Sequence, residues 1–197
     1  MTARDDILGA IRARRAAQAP KPGVYRAPQT EGDLTEAFVK RLSTWHAEVR
    51  PLDSMVDVPA AIADVLRGRN MAAAVHIPPD SELYLDLPNV EIKRTPPGPF
   101  DAAVTEAPFA IAETGTLVYA AGKGAPASWH FRPMLEIAIL RAGSVVAELE
   151  DVLRTLEAKG LPSTLNLVSG PSRTGDIEQT MELGAHGPKA LVVLLLK

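Results

Sequence analysis

Three short segments in the second half of the chain combine residue types capable of chemistry with glycines that free the backbone. The first is Ala112-Glu113-Thr114-Gly115-Thr116, set between the apolar runs 109–111 and 117–119. Glycine at positive φ and threonine hydroxyls bonding the local backbone would make it a tight hairpin or bulge. The alternative is a Glu113 carboxylate aimed into a cleft, with the hydroxyls of Thr114 and Thr116 and free backbone N–H groups around it. The second segment is Ser169-Gly170-Pro171-Ser172-Arg173-Thr174-Gly175-Asp176-Ile177-Glu178, directly after an apolar run ending at Val168. A strand, a Gly/Ser loop and a helix start would leave first-turn N–H groups to hold an anion. Ser172 and Thr174 would add hydroxyls, and Arg173 a planar fork of donors for carboxylate or phosphate. The other reading is that Thr174 or Asp176 only caps a helix and Arg173 pairs with an internal acid. The third segment is Gly184-Ala185-His186-Gly187-Pro188. An unperturbed imidazole, with a pKa of about 6.5, suits proton transfer near neutral pH, although such a His can also simply bond a backbone carbonyl.

Other candidates carry less. His46 reads as a helix-surface residue, His76 ends an apolar run, and His130 lies in Trp129-His130-Phe131-Arg132-Pro133. None has the spacing of a metal ligand pair, and no metal site is expected. The chain has 0 Cys, which excludes disulfides, Cys-ligated zinc and any iron–sulfur cluster ligated by its own thiolates. Gly122-Lys123-Gly124 is either a solvated turn or a loop that closes over an anion. The second segment is neither a P-loop nor a Gly-x-Gly-x-x-Gly fingerprint.

Elements must hold these segments in place. Residues 2–18 read as a helix with a Thr2/Asp5 capping box and an Ile7, Leu8, Ile11 stripe. The Pro-rich stretch Ala19-Pro20-Lys21-Pro22-Gly23 then acts as a linker. These features divide the chain into a helix and linker over 1–32 and a main domain over 33–197. In that domain helices are predicted over 33–49, 59–69, 149–159 and 174–183. Strands are predicted over 71–77, 90–93, 101–104, 116–121, 135–140, 144–147, 164–168 and 190–196. Helices alternating with apolar strands predict an α/β fold: a Rossmann-like, mostly parallel sheet with helices on both faces. Ligands on such a sheet are expected at the carboxyl ends of the strands.

Composition limits the partners. Of 197 residues, 46% are hydrophobic, enough for a packed core, but only 5% are aromatic, so that core must rest on Ala, Val, Leu and Ile. The net charge is −3, yet residues 1–26 carry six basic residues against two acids, a local +4 that leaves −7 on the rest. An acidic body argues against nucleic-acid binding, which needs a basic face. No run approaches the roughly 18 apolar residues of a membrane span. The N-terminus lacks the apolar h-region of a secretory signal, Ile7-Leu8 standing alone among charges, and a cytoplasmic location is expected.

The three segments occur in one order and spacing: Phe109 to Val118, Ser169 to Glu178, and Gly184 to Pro188. Together they resemble the lactate utilization protein C family, whose members carry the LUD domain. The short helical N-terminus and Pro-rich linker fit the same family. The sequence departs from its pattern at 104–108 and at Glu136, which stands where a His is common. The resemblance implies a fold like that of the sugar-phosphate isomerases and CoA transferases. It also implies a part in oxidising L-lactate to pyruvate, beside partner proteins that carry the iron–sulfur clusters, so that this chain binds no cofactor of its own. A small anionic ligand would then lie among the loops. Glu113 and His186 would be the catalytic candidates, and Thr114, Gly115, Thr116, Ser169, Gly170, Ser172, Arg173, Thr174 and Asp176 the binding ones. A stand-alone acyl transferase or sugar-phosphate isomerase, and a non-catalytic assembly or sensor protein, are the alternatives.

Overall fold

The computed structural model describes residues 2–13, 23, 32–122, 124–175, 181–183 and 187–197, with the backbone path alone for 174–175 and 181–183. Along the first half run α1 (Ala3–Ala13), α2 (Leu34–Thr44), β1 (Glu48–Leu52), α3 (Val58–Gly68), β2 (Ala74–His76) and β3 (Glu91–Lys93). Then come β4 (Ala102–Ala107), β5 (Phe109–Ile111), β6 (Thr116–Ala120), the single-turn α4 (Ser128–Phe131), β7 (Leu135–Arg141) and β8 (Val145–Val146). The last elements are α5 (Leu149–Lys159), β9 (Leu165–Val168), β10 (Arg173–Gly175), β11 (Met181–Leu183) and β12 (Ala190–Leu196).

The chain is α/β, as expected. Six strands form a wholly parallel sheet in the order β1-β12-β7-β4-β2-β3. Its middle strands are covered on both faces, so β7 and β12 need apolar side chains at every position but a few, and their runs are continuous rather than alternating. On one face lies α3. Its Val58, Ile62, Val65 and Leu66 follow helical spacing and pack with Val104, Ile137, Ile139 and Leu194. Each such fully buried aliphatic side chain contributes about 1.5–3 kcal/mol relative to exposure. On the other face α2 inserts Phe38 and Leu42 against Ala138, Leu140 and Val193.

That second face has another cover, which the sequence did not announce. Strands β8-β5-β6-β9 form a separate four-stranded sheet, and its Leu117, Tyr119 and Val168 share the α2 core. Its outer face is closed by Val152 and Leu156 of α5 against Ile111 and Val118. The strands expected to extend one sheet are therefore divided between two stacked sheets.

Two element predictions are corrected. The helix expected through residue 49 stops at Thr44, with Asp33 capping its start by accepting from Thr35 N at 2.7 Å and Glu36 N at 3.2 Å. Residues 48–52 are instead the edge strand β1, where Pro51 is tolerated because only one side of the strand is paired. In place of the helix expected over 174–183, the described residues at its two ends form strands: β10 and β11 pair antiparallel, Arg173 opposite Leu183 and Gly175 opposite Met181. Thr and Gly at 174–175 disfavour a first helical turn, one by β-branching and the other by backbone entropy.

At the N-terminus one half of the expected capping box forms: Asp5 N donates to Thr2 O rather than to its hydroxyl, while Thr2 N and Oγ1 donate to Asp5 Oδ2 at 3.0 and 2.7 Å. Those bonds hold the Asp5 carboxyl below its usual range. Helix α1 buries none of its residues, and Ile7 and Ile11 stand exposed. Its predicted continuation over 14–18 lies outside the described residues.

Candidate functional site

The first segment takes the hairpin form. Strands β5 and β6 pair antiparallel with Ile111 opposite Thr116, and Gly115 N donates to Ile111 O at 3.0 Å. Gly115 has φ +67°, and a Cβ there would come within 2.5 Å of Leu42 N and 2.8 Å of the Arg41 carbonyl carbon. Glycine is required twice over: for the left-handed backbone and for the close approach of the hairpin to α2. Glu113 is half-buried and its N–H donates to Ala147 O at 3.1 Å.

A chain of hydroxyls leads from this hairpin to the second segment. Thr114 Oγ1 lies 2.7 Å from Thr116 Oγ1, which lies 2.7 Å from Ser169 Oγ. Beyond Ser169 the backbone of Gly170 lies against the end of α2. A Cβ on Gly170, at φ +146°, would fall 2.9 Å from both Trp45 Cβ and Trp45 O. Ser172 N then donates to Pro188 O at 2.8 Å, and Gly187 sits close enough to Ser172 that a Cβ would come within 3.1 Å of its Cβ. The second segment is thus tied to the first through Thr116 and Ser169, and to the third through Ser172 and Pro188.

Around this loop is a depression of about 640 Å³ walled by Trp45, His46, Leu167, Ser169, Pro171 and Arg173. A smaller hollow of about 180 Å³ adjoins it across Leu167 and Ser169, and Phe131 and Gly187 line its far side. Trp45 is 55% exposed. Arg173 is exposed, and no carboxylate among the described residues pairs with it. His46 has left the helix surface expected for it: it follows the α2 C-cap with φ +64° and faces the depression.

The expected position on the sheet is overturned. His46 lies two residues before the start of β1, and Pro188 two residues before the start of β12. The depression is therefore at the amino ends of the parallel strands, because the loop folds back from the second sheet rather than leading from the first. The start of the helix expected to hold an anion is replaced by the strand β10, paired with β11. Lys123, Asp176 and His186, together with the side chain of Thr174, lie outside the described residues. No hydrogen bond or ion pair joins Glu113 to Arg173 among the described residues. No three His, Asp or Glu side chains among them gather as a metal ligand set.

A second polar cluster was not found by sequence reasoning. Between the two sheets, fully buried, His130 Nδ1 lies 2.7 Å from Glu136 Oε1, which also accepts from Thr105 Oγ1 at 2.9 Å. Thr105 Oγ1 is 3.3 Å from the Tyr119 hydroxyl, and the Tyr119 and His130 rings stack with centroids 3.7 Å apart. Burial, reinforced by the nearby Glu136 carboxylate, pushes the Tyr119 phenol well above its ordinary value of 10.0. His130 Nε2 and Glu136 Oε2 are buried without a hydrogen-bond partner. The one sequence signal was an acid inside the apolar run of β7.

The layered architecture and the looped, cation-bearing depression define an α/β protein with a Rossmann-like parallel sheet. The chain belongs to the LUD domain family, which matches residues 98–196. It is 38% identical over 93 residues to lactate utilization protein C of Halalkalibacterium halodurans, covering 45% of this chain and 40% of that one. It is 34% identical over 101 residues to lactate utilization protein C of Bacillus subtilis, covering 48% and 42%. These matches thus span about two fifths of the length of those relatives. An uncharacterised protein of Neisseria meningitidis is 25% identical over 223 residues, covering 100% of this chain and 94% of that one. In fold the chain is similar to the crystal structure of a DUF162 family protein from Deinococcus radiodurans, with a TM-score of 0.59 and 20% identity over 83% of this chain and 96% of that one.

Proposed function

We propose that this chain is a component of a multi-protein system that oxidises L-lactate to pyruvate, and that it holds a small anion at the Ser169–Arg173 loop. The observation that carries the reading is the LUD family match over residues 98–196, the part of the chain that holds all three segments, beside 38% identity over 93 residues to a lactate utilization protein C. The site chemistry supports it. Arg173 offers a guanidinium fork that no carboxylate among the described residues engages, with Ser169 as a neighbouring hydroxyl. Glu113 and His186 are the candidate groups for handling a proton.

Lactate gives up two electrons and two protons on becoming pyruvate. With 0 Cys, this chain cannot ligate an iron–sulfur cluster with thiolates, so the electrons pass to clusters on partner proteins. The test is an anaerobic pull-down of the C-terminally tagged chain from its source cells grown on L-lactate. Co-elution of iron–sulfur proteins with lactate-dependent dye reduction is the expected result. Recovery of this chain alone, from cells that express such proteins, would overturn the reading.

A further inference from the structure

The depression beside Arg173 has far more room than a small anion fills. Lactate has only six non-hydrogen atoms. The depression measures about 640 Å³, room for about twenty waters at roughly 30 Å³ each. That size falls within the roughly 300–1,000 Å³ of sites that take ligands the size of a nucleotide. We infer that it binds a mononucleotide, with a planar heteroaromatic ring stacked on Trp45 and a phosphate on Arg173.

Three observations converge on that class. Trp45 is 55% exposed although it directly follows a packed helix. Its ring is the wall of a cavity rather than part of the core, and an open indole face binds flat rings by stacking. Leu167, 47% exposed, and Pro171 line the same cavity and give a flat ring apolar surroundings. At the loop end the groups change to Arg173 and Ser169, and the described lining contains no carboxylate. A dianionic phosphate there meets no like charge among the described residues, and the guanidinium fork matches it bidentately. The wall is also preset. Gly170 lies so close to Trp45 Cβ and O that no side chain fits between them, which sets the loop directly against the Trp45 backbone. The acidic balance of the chain disfavours a nucleic-acid strand, so the ligand is a single nucleotide.

The inference rests on the reading that this depression is the chain's ligand site. Its test uses the purified full chain in calorimetric titrations with adenosine monophosphate, flavin mononucleotide, inorganic phosphate and L-lactate. Tryptophan emission is followed in parallel. At least one nucleotide is expected to bind tenfold or more tightly than phosphate or lactate and to quench the emission of exposed Trp45; Trp129 is buried. Arg173→Gln should weaken that nucleotide tenfold or more. Trp45→Leu should reduce its affinity to that of phosphate. Both sites are exposed, so the variants should keep the parent's melting curve. Lactate binding without nucleotide binding would overturn the inference and leave the proposed function standing. Nucleotide binding that neither substitution changes would overturn the site. Nucleotide binding in a chain that recovers no iron–sulfur partner would support the inference while the proposed function fell.

Discussion

His130 and Glu136 face each other at 2.7 Å with both side chains wholly shielded from water. Each sits where the surroundings are otherwise apolar: α4 tucks His130 under Tyr119, and β7 carries Glu136 among Leu135, Ile137 and Ala138. Burying such a pair costs solvation that its hydrogen bonds only partly offset. Removing one member is worse, because the other is left buried without its partner. Glu136→Ala strips His130 Nδ1 and Thr105 Oγ1 of their acceptor together. Urea unfolding should show a loss of about 3–5 kcal/mol. A loss below about 1 kcal/mol would mean that the pair is dispensable to the fold.

Tyr119 gives the same cluster a pH signature. Its phenol is pushed well above 10.0 in the folded chain, while in the unfolded chain it titrates near its ordinary value. Above pH 10 the unfolded state sheds this proton and the folded state keeps it. The stability is fully present below pH 10 and declines as pH rises, by up to about 1.4 kcal/mol per unit from this group. Tyr119→Phe should flatten that decline in denaturant titrations between pH 9 and 11. It should cost about 1 kcal/mol at neutral pH for the lost hydroxyl contact. An equally steep decline in the variant would assign the effect to other groups.

Gly115 joins hairpin and helix. Gly115→Ala must place a methyl group where Leu42 N and Arg41 already stand, at a positive φ. The hairpin tip or α2 has to move, and a melting experiment should show a loss of more than about 1 kcal/mol. Gly143→Ala is the control, since no atom lies within 4 Å of its Cβ position. Equal melting points for the two variants would show that the hairpin is not held against α2.

The hydroxyl chain predicts a local effect. Thr116→Val keeps the shape of the side chain but removes the link between Thr114 and Ser169. Global stability should fall by about 1 kcal/mol. Amide exchange should accelerate most around Ser169 and Gly170, which lose their tie to β6. Exchange that rises uniformly over the chain would argue against a dedicated anchor for the loop.

What the sequence disclosed follows from where each signal resides. Helix Leu149–Lys159 and strand Ala190–Leu196 match their observed bounds because their apolar patterns are local and uninterrupted. Strand β1 was hidden because Glu48, Arg50 and Pro51 belong to an edge, where burial imposes no apolar run. The second sheet was hidden for another reason: apolar alternation makes a strand but does not say which sheet it joins. The glycines at 115 and 170 were legible as special positions, whereas their contacts with Leu42 and Trp45 cross from one element to another. The His130–Glu136 pair was least legible: the acid inside the apolar run of β7 was its one signal, and its meeting with His130 depends on the stacking of two sheets.

The exposed N-terminal helix separates stability from assembly. Helix α1 has an apolar stripe of Ile7, Leu8 and Ile11, yet none of its residues is buried. A helix of 11 residues is marginal by itself in water, so tertiary or partner contacts must supply what the stripe lacks. The described core owes nothing to it. Deleting residues 1–26 should therefore leave the urea midpoint of the main domain unchanged, while co-elution of partner proteins from lactate-grown cells falls. Ile7→Asp with Ile11→Asp should reproduce the second effect with the chain at full length. A lower midpoint for the deletion would show instead that the N-terminal segment packs on its own domain, and retained co-elution in both variants would place the partner contact elsewhere on the chain.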